Sequence, residues 1–473
     1  MSHYSKINIV SEYLTPNGYL FSGYSQNDLP EIFLQQLKKV IDFDTHVVRS
    51  DDKNSYSISH IHTAFLNYVK EYKDKFHSVG HRTPIINFKT PFEIKDDELK
   101  DDILNIFLVE SDTRSSFQLY GLHKLSFSKK SLDLIRTHKN CIIVILDWRE
   151  GSYELCDELI EHFNNFIKVN NLKKSDFILI NNNFQLKNNQ HKCNFLLETL
   201  PWYILIGFDA ELNGKLDATG NQISYLTADE AFDSYSSIRK YKFLSYNRNS
   251  NRLHRPYVVS KLYNDGILKN SLVSFYECHS LTNYDILKNN KNLEYETLKF
   301  SETDKDILEK FINESYPLKL EHDTADLCAI ADNQISTKEH FLDSYINIVC
   351  ETSCHSEFTF ITEKTLRPVI NLQPFIIFGN PYTLHELKKL GFKTFDKWFD
   401  ESYDMERDTN KRFEMAYNEI KRLNELDMDE IHEMYYEMFD ILEHNFNRIT
   451  SMYKNYELPI YLGDSIYKQL NLN

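Results

Sequence analysis

A continuous apolar run near the middle of the chain constrains the fold more than any other feature. Its sequence is Cys141-Ile-Ile-Val-Ile-Leu-Asp147, an apolar stretch that ends in a carboxylate. An apolar run without alternation is typical of a strand buried on both faces of a parallel sheet. Residues 152–168 follow with apolar positions at helical spacing, and Phe177-Ile-Leu-Ile180 gives a second buried strand. Strand, helix and strand form one βαβ unit, so we expect an α/β fold with parallel sheets.

The second half of the chain repeats this alternation and then becomes helical. Strands and the helices between them are predicted, in order, at residues 241–246, 256–268, 346–350, 363–372 and 374–378. The segment from Arg407 to Met452 carries one apolar stripe at helical spacing, which predicts helices packed on the core. The stripe consists of Ile431, Met434, Tyr435, Met438, Leu442, Phe446 and Ile449.

The length of the chain and these patterns predict its domain organisation. With 473 residues the chain is too long for a single core. We expect an N-terminal α/β domain over residues 1–238, a second α/β domain over 239–404 and a helical extension over 405–473. A cleft between two α/β domains is the natural place for a ligand.

Charge and hydropathy exclude several classes of protein. The chain has 54 basic and 70 acidic residues, a formal net charge of −16. A negative field disfavours nucleic acid and anionic lipid as partners, although a local basic site remains compatible with it. No run of 18 apolar residues occurs, so no transmembrane segment is expected. The first residues also lack the charged and apolar regions of a signal peptide.

The cysteines indicate a reducing compartment. Seven are scattered without the spacing of a disulfide framework, so we expect free thiols and a cytoplasmic location. Cys350, Cys354 and His355 lie close in sequence, but no second Cys/His pair stands at the spacing of a zinc site. We therefore predict no metal site.

A basic stretch follows the predicted strand at 241–246. It holds Asn247, Arg248, Arg252, His254 and Arg255 just before a helix near Pro256. Ligands of open α/β sheets bind at strand-to-helix turns, and helix N-termini attract anions. Arginine is suited to forked contacts with phosphate. The pattern is compatible both with a diphosphate site and with a solvated basic loop.

A second polar stretch follows the predicted strand at 346–350. It contains Glu351 and, further on, Thr362-Glu-Lys364 at the start of a predicted helix. Thr362 is a favourable N-cap, and Glu363 in the first turn is stabilised by the helix dipole. The alternative is a binding role, with Glu363 on hydroxyls of a sugar or ribose and Lys364 on a phosphate.

These segments resemble the donor-binding signature of the α-1,3-fucosyltransferases. That family has a Glu-Asn pair, then Tyr-Val-Thr-Glu-Lys, a helix and an Ile-Pro-Ile-Tyr-Trp-Gly strand. Here Glu351 matches the upstream Glu, residues 360–364 match the Thr-Glu-Lys motif, and Pro374-Phe-Ile-Ile-Phe-Gly379 matches the strand. The sequence departs from the family at Thr352, which replaces the Asn, and at Phe378, which replaces the Trp. The resemblance covers roughly residues 240–395.

The resemblance implies a fold of two Rossmann-like domains, called GT-B, and an inverting glycosyltransferase. The donor would be a nucleotide diphosphate sugar, with GDP-fucose as the first guess, and the acceptor a glycan. Donor-binding residues are then expected at Asn247, Arg248, Arg252, Arg255, Glu351, Thr362, Glu363 and Lys364. Arg255 and Lys364 would neutralise the diphosphate and Glu363 would hold the sugar. No obligatory cofactor is expected, because fixed cations replace a metal ion.

An inverting transfer also needs a general base on the acceptor hydroxyl. Asp147 and Glu150 follow the strongest predicted strand, where ligand contacts are expected in an α/β domain. Glu150 is our first choice and Asp147 the second. The alternative for either residue is a cap on the following helix.

Two further questions stay open on the sequence alone. Asp400, Glu401 and Asp404 stand among aromatic residues, either as contacts to sugar hydroxyls or within a surface loop pinned by Trp398 and Tyr403. The acceptor is either a glycan, a protein or a modified DNA base. A non-catalytic nucleotide- or glycan-binding module would keep the basic residues but lack the base.

Overall fold

The computed structural model describes residues 6–10, 85–89, 91–111, 127–147, 157–181, 184–199, 226–247, 252–275, 298–320, 338–354 and 359–454. The described residues up to Thr199 belong to one compact unit, and those from Leu226 to Lys454 belong to a second. None of the helices within these ranges has the length and apolar character needed to span a membrane.

The first unit contains a six-stranded sheet in which every pairing is parallel. Its strand order is β2-β1-β3-β4-β5-β6. The strands are β1 Lys6–Val10, β2 Ile85–Lys89, β3 Ile103–Ser111, β4 Cys141–Asp147, β5 Phe177–Asn181 and β6 Leu196–Thr199. Two helices are described, α1 Lys129–Thr137 and α2 Asp157–Val169.

The apolar run of the sequence forms the interior strand β4, as predicted. It pairs with β3 on one side and β5 on the other, and residues 141–145 are almost entirely buried. Helix α2 covers the sheet through Phe163, whose ring lies 5.2 Å from that of Phe177 and 5.5 Å from that of Phe195. Coverage by packed helices explains why residues 141–146 of β4 are apolar at successive positions and not only at alternate ones.

The second unit contains a separate four-stranded sheet, also parallel, in the order β10-β9-β7-β8. Its strands are β7 Tyr241–Asn247, β8 Ser271–Phe275, β9 Ser344–Cys350 and β10 Phe375–Phe378. Its helices are α3 Ala228–Asp233, α4 His254–Asn264, α5 Glu302–Glu314, α6 Lys338–Leu342, α7 Glu363–Ile370, α8 Thr383–Lys389, α9 Thr409–Glu425, α10 Met428–Glu437 and α11 Phe439–Lys454. The prediction of two α/β domains with parallel sheets is therefore confirmed.

The helical C-terminal segment packs on the second unit through the predicted stripe. Five of its positions are buried, and two are partly buried. Helix α3 packs on the same segment, since Tyr436 Oη donates to the Ala231 carbonyl (2.9 Å) and Phe232 stacks edge-on against Phe439. The second unit thus includes α3 and all three C-terminal helices, whereas the sequence suggested a boundary near residue 238 and a separate extension.

Candidate active site at the carboxyl edge of the second sheet

The strand order of the second sheet predicts where a ligand would bind. After β7 the chain adds β8 on one side, and then returns to add β9 and β10 on the other. The topological switch point therefore lies between the carboxyl ends of β7 and β9. In open α/β sheets ligands bind at this point. Both chemistry-bearing segments of the sequence follow these two strands.

The turn from β7 to α4 places cations beside the switch point. Helix α4 starts at His254, so Pro256 is its third residue, where a missing N–H is tolerated in the first turn. Arg252 is partly buried and Arg255 is buried. Burial lowers the pKa of the Arg255 guanidinium, and the nearby Cys350, Glu363 and Glu351 act in the opposite direction. Arginine remains charged in such an environment.

Asn247 ends β7 with a fully buried side chain. Its backbone N–H donates to Ser274 Oγ (3.2 Å) and its Nδ2 donates to Ser245 Oγ (2.9 Å). Its Oδ1 has no hydrogen-bond partner among the residues that the structure describes. A buried acceptor without a partner is unusual in proteins, and a ligand or a water molecule often completes its hydrogen bonding.

The turn from β9 to α7 is organised around the buried carboxylate of Glu351. Its Oε1 accepts from the Thr362 backbone N–H (3.1 Å) and from Thr365 Oγ1 (2.5 Å). Its Oε2 accepts from the Thr352 backbone N–H (3.0 Å) and from Thr362 Oγ1 (2.6 Å). With four protein donors the carboxylate is fully engaged, which favours an indirect role over the predicted direct contact with the donor.

Thr362 caps helix α7, as the structural alternative predicted. Its Oγ1 accepts from the Lys364 backbone N–H (3.3 Å) while donating to Glu351. The following residues, Glu363 and Lys364, therefore stand in the first turn at the carboxyl edge. Capping does not exclude a ligand contact by either side chain.

Glu363 and Lys364 keep part of their side chains exposed, 31% and 16% respectively. Lys364 Nζ donates to Thr352 Oγ1 (2.9 Å) and forms an ion pair with the Glu363 carboxylate. Burial acts to raise the pKa of the Glu363 carboxyl, but Lys364 and Arg367 outweigh it and lower the pKa to about 2. Glu363 is therefore an anion throughout the neutral range.

The structure brings the two turns together despite about a hundred intervening residues. His254 Nε2 donates to the Glu351 carbonyl (2.6 Å), which ties the start of α4 to the end of β9. The charges of Arg255 and Glu363 also interact across this junction. One predicted donor-binding residue, Arg248, lies outside the described residues.

A fourth cation, Arg367, was not singled out by the sequence analysis. It is buried in α7, and its guanidinium lies 5.5 Å from the centre of the Tyr246 ring of β7. The local signal was its spacing of four residues from Glu363, which places both on one face of the helix. Among the residues that the structure describes at this edge, four cations, Arg252, Arg255, Lys364 and Arg367, thus outnumber the two carboxylates of Glu351 and Glu363.

The carboxylates at 400–404 hold their own loop, in agreement with the pinned-loop alternative. Glu401 accepts from Thr394 Oγ1 (2.6 Å) and the Phe395 backbone N–H (2.6 Å). Asp404 accepts from two backbone N–H groups at the start of α8. Asp400 accepts from the Ser402 backbone N–H (3.0 Å).

The candidate bases of the first unit are only partly described. Asp147 is the last residue of β4, in register with Ser111 of β3 and Asn181 of β5. The switch point of this sheet lies between β1 and β3, one strand away from β4. Glu150 lies outside the described residues, as does His355. Within the described ranges, no group of three or more His, Cys, Asp or Glu residues is arranged to hold a metal ion.

Comparisons with known proteins give a fold likeness of low similarity. No protein-family model matches the chain, and no curated protein matches it. An α,α-trehalose-phosphate synthase (UDP-forming) from Burkholderia vietnamiensis matches with a TM-score of 0.35 and 10% identity, over 100% of both chains. An α,α-trehalose 6-phosphate synthase from Burkholderia multivorans matches with a TM-score of 0.29 and 10% identity, over 99% of this chain and 97% of the other. A likeness at this level carries no argument about function.

Proposed function

We propose that this protein is a nucleotide-sugar-dependent glycosyltransferase of the GT-B type that binds its donor at the carboxyl edge of the second sheet. The observation that carries the proposal is the meeting of two strand-to-helix turns at the switch point between β7 and β9. Those turns concentrate Arg252, Arg255, Lys364 and Arg367 in a chain whose net charge is −16. A diphosphate is the ligand that such a cluster fits.

Some residues at this edge bind the donor directly, and others hold those residues in position. Arg252, Arg255 and Lys364 bind the diphosphate, with Arg248 from the same loop as a further contact. Glu363, ionised and partly exposed, accepts from sugar hydroxyls. The unsatisfied Oδ1 of Asn247 accepts from a ribose or sugar hydroxyl. Glu351 and Thr362 act indirectly, because their polar atoms are engaged with each other and with the start of α7.

Lys364 forms an ion pair with Glu363, and a bound diphosphate would replace Glu363 as its partner. In the ligand-free chain its ammonium is paired with Glu363 and hydrogen-bonded to Thr352. A diphosphate carries more charge than one carboxylate, and charge-assisted contacts to it are strong. On donor binding, Lys364 turns to the phosphate, and Glu363 becomes available to the sugar. As the diphosphate leaves, the fixed cations stabilise the charge that develops on it.

We assign the acceptor and the general base to the first unit. The acceptor is a glycan, the transfer inverts the anomeric centre, and Glu150 or Asp147 removes the proton from the attacking hydroxyl. The position of Asp147 at the carboxyl end of a buried parallel strand supports this assignment. Fucose carried on GDP is the first donor to test, on the resemblance of residues 350–379 to the α-1,3-fucosyltransferases. Cys141, Cys193 and Cys350 are buried and form no disulfide among the residues that the structure describes, which supports a cytoplasmic location.

Thermal-shift measurements with GDP-, UDP-, dTDP- and CMP-linked sugars test the proposal. A donor at 100 times its dissociation constant stabilises the folded state by about 2.7 kcal/mol, so one nucleotide class should raise the melting temperature. Slow release of free sugar from that donor then separates an enzyme from a binding module. Absence of any shift across the four classes would contradict donor binding.

A further inference from the structure

Several segments next to the proposed donor site are hydrogen-bonded to one buried carboxylate, that of Glu351. Glu351 links the end of β9 to the cap and first turn of α7 through its four hydrogen bonds. Its own backbone N–H donates to the Phe378 carbonyl at the end of β10 (3.0 Å). The orientation of Glu363 and Lys364 therefore depends on where this side chain lies.

Gly379 leaves the space that the Glu351 side chain occupies. A Cβ added at Gly379 would lie 3.2 Å from Glu351 Cβ, 3.4 Å from Glu351 Cγ and 3.3 Å from Ile377 Cγ2. The first and last of these distances are shorter than normal contacts between packed carbon atoms. A larger residue at Gly379 requires Glu351 or Ile377 to move by a few tenths of an ångström, and we expect a shift of Glu351 to lengthen its hydrogen bonds to Thr362 and Thr365. The requirement is one of space, because the backbone of Gly379 is not in the left-handed region.

Arg412 holds the backbone of Gly379 by a hydrogen bond. This arginine of α9 is buried, with Nε donating to the Gly379 carbonyl (3.0 Å) and Nη2 to the Cys354 carbonyl (2.9 Å). Its Nη1 donates to the carbonyls of Glu406 and Arg407. One guanidinium thus joins the segments that follow β10 and β9 to the C-terminal helices.

We propose that Gly379 and Arg412 are positioning residues of the anion site, acting through Glu351 on the first turn of α7. The inference rests on the proposed function, since it assigns to that site the support that holds its anion-binding turn. Neither residue touches the ligand. Arg412 holds the backbone of Gly379 by a hydrogen bond, and the absence of a side chain at Gly379 leaves room for Glu351. Glu351 in turn holds the first turn of α7, which carries Lys364.

Gly379→Ala tests the proposal, with inorganic pyrophosphate as the probe and calorimetric titration as the assay. We expect the added methyl group to weaken pyrophosphate binding about tenfold, which corresponds to about 1.4 kcal/mol. Hydrogen exchange of a peptide spanning residues 362–370 should accelerate in the variant, because the cap of α7 loosens. Arg412→Lys keeps the charge but cannot make the simultaneous hydrogen bonds to the Gly379 and Cys354 carbonyls. It should also weaken pyrophosphate binding and accelerate exchange at residues 362–370.

Gly266→Ala is the matched control for a glycine substitution. Gly266 has a positive φ of 71° and no neighbour within 4 Å of an added Cβ, and it follows the far end of α4. The substitution should lower the melting temperature through backbone strain but leave pyrophosphate affinity and exchange at 362–370 unchanged.

The possible results distinguish the positioning role of Gly379 and Arg412 from the proposed anion site itself. Wild-type affinity in Gly379→Ala, with unchanged exchange at 362–370, would overturn the positioning role while leaving the anion site intact. Failure of the wild-type chain to bind pyrophosphate would instead contradict the proposed function and the inference that rests on it. If Gly266→Ala lost as much pyrophosphate affinity as Gly379→Ala, the loss would reflect general destabilisation of the fold. That result would also overturn the positioning role.

Discussion

Replacing Thr365 with valine removes one hydrogen bond from the Glu351 network while keeping the shape of the side chain. Thr365 is fully buried, and its Oγ1 donates to Glu351 Oε1 over 2.5 Å. Without the hydroxyl, Oε1 retains one described donor, the backbone N–H of Thr362. Hydrogen bonds to charged groups contribute roughly 1.5–3 kcal/mol, and the buried carboxylate cannot recover the loss from water. We expect Thr365→Val to lower the free energy of unfolding by about 2 kcal/mol.

Thr365→Ser is the matched control, because it keeps the hydroxyl and loses only a methyl group. The loss of one buried methyl costs about 1 kcal/mol. Urea denaturation measures both variants, and with m-values of about 2 kcal/mol/M the valine variant should shift the midpoint by on the order of 1 M. If packing alone mattered, serine would be the more damaging change. A serine variant less stable than the valine variant would refute the role given to the Glu351 network.

The remaining predictions concern metal dependence, the general base and pH. Transfer activity should retain a large fraction of its rate in EDTA, because four side-chain cations are available for the diphosphate; complete loss restored by Mn²⁺ would identify another class of transferase. Glu150→Gln or Asp147→Asn should lower turnover by about 10²–10⁴-fold with donor affinity intact, as steady-state kinetics and titration can show. Near-normal rates in both would mean that the base lies elsewhere in the first unit, and the carboxylates Asp51, Asp52 and Glu110 would be tested next. Burial acts to raise the pKa of the Glu98 carboxyl, but ion pairs with Lys6 of β1 and Lys89 of β2 lower it from 4.5 to about 2, the same value as for Glu363. The stabilisation of the folded state by these two ionised carboxylates is therefore complete above about pH 4.5 and is lost as the pH falls towards 2. Melting temperatures measured between these pH values would reveal the loss.

The sheets could be predicted from the sequence because their signal is local. The run from Cys141 to Leu146 is apolar throughout and that from Tyr241 to Tyr246 is mainly apolar, and helical spacing follows each of them. The two turns of the candidate site were predicted for the same reason, since polar residues concentrate directly after strand ends. Topology then brought the two turns together, because β7 and β9 are neighbours in the sheet.

The burial of individual polar side chains and the contacts that these side chains make with distant segments could not be predicted from the sequence. Glu351 and Glu363 are the same residue type in the same segment, yet one is enclosed by four donors and the other faces a lysine with part of its surface exposed. The role of Gly379 depends on the position of Glu351, and that of Arg412 on strand ends distant in sequence. Helix α3 likewise joins the second unit through tertiary contacts, among them those with Tyr436, Phe439 and Lys338.

Binding of a nucleotide sugar to Lys364→Ala and Arg255→Ala tests the central claim most directly. The donor that gives the largest thermal shift is titrated calorimetrically against wild type and both variants. Lys388→Ala, which removes an exposed lysine paired with Asp396, serves as the control. Each site variant should lose roughly 1.5–3 kcal/mol of binding free energy, about 10- to 150-fold in affinity, while the control binds as wild type does. Wild-type affinity in both site variants would show that the donor does not bind where the two turns meet.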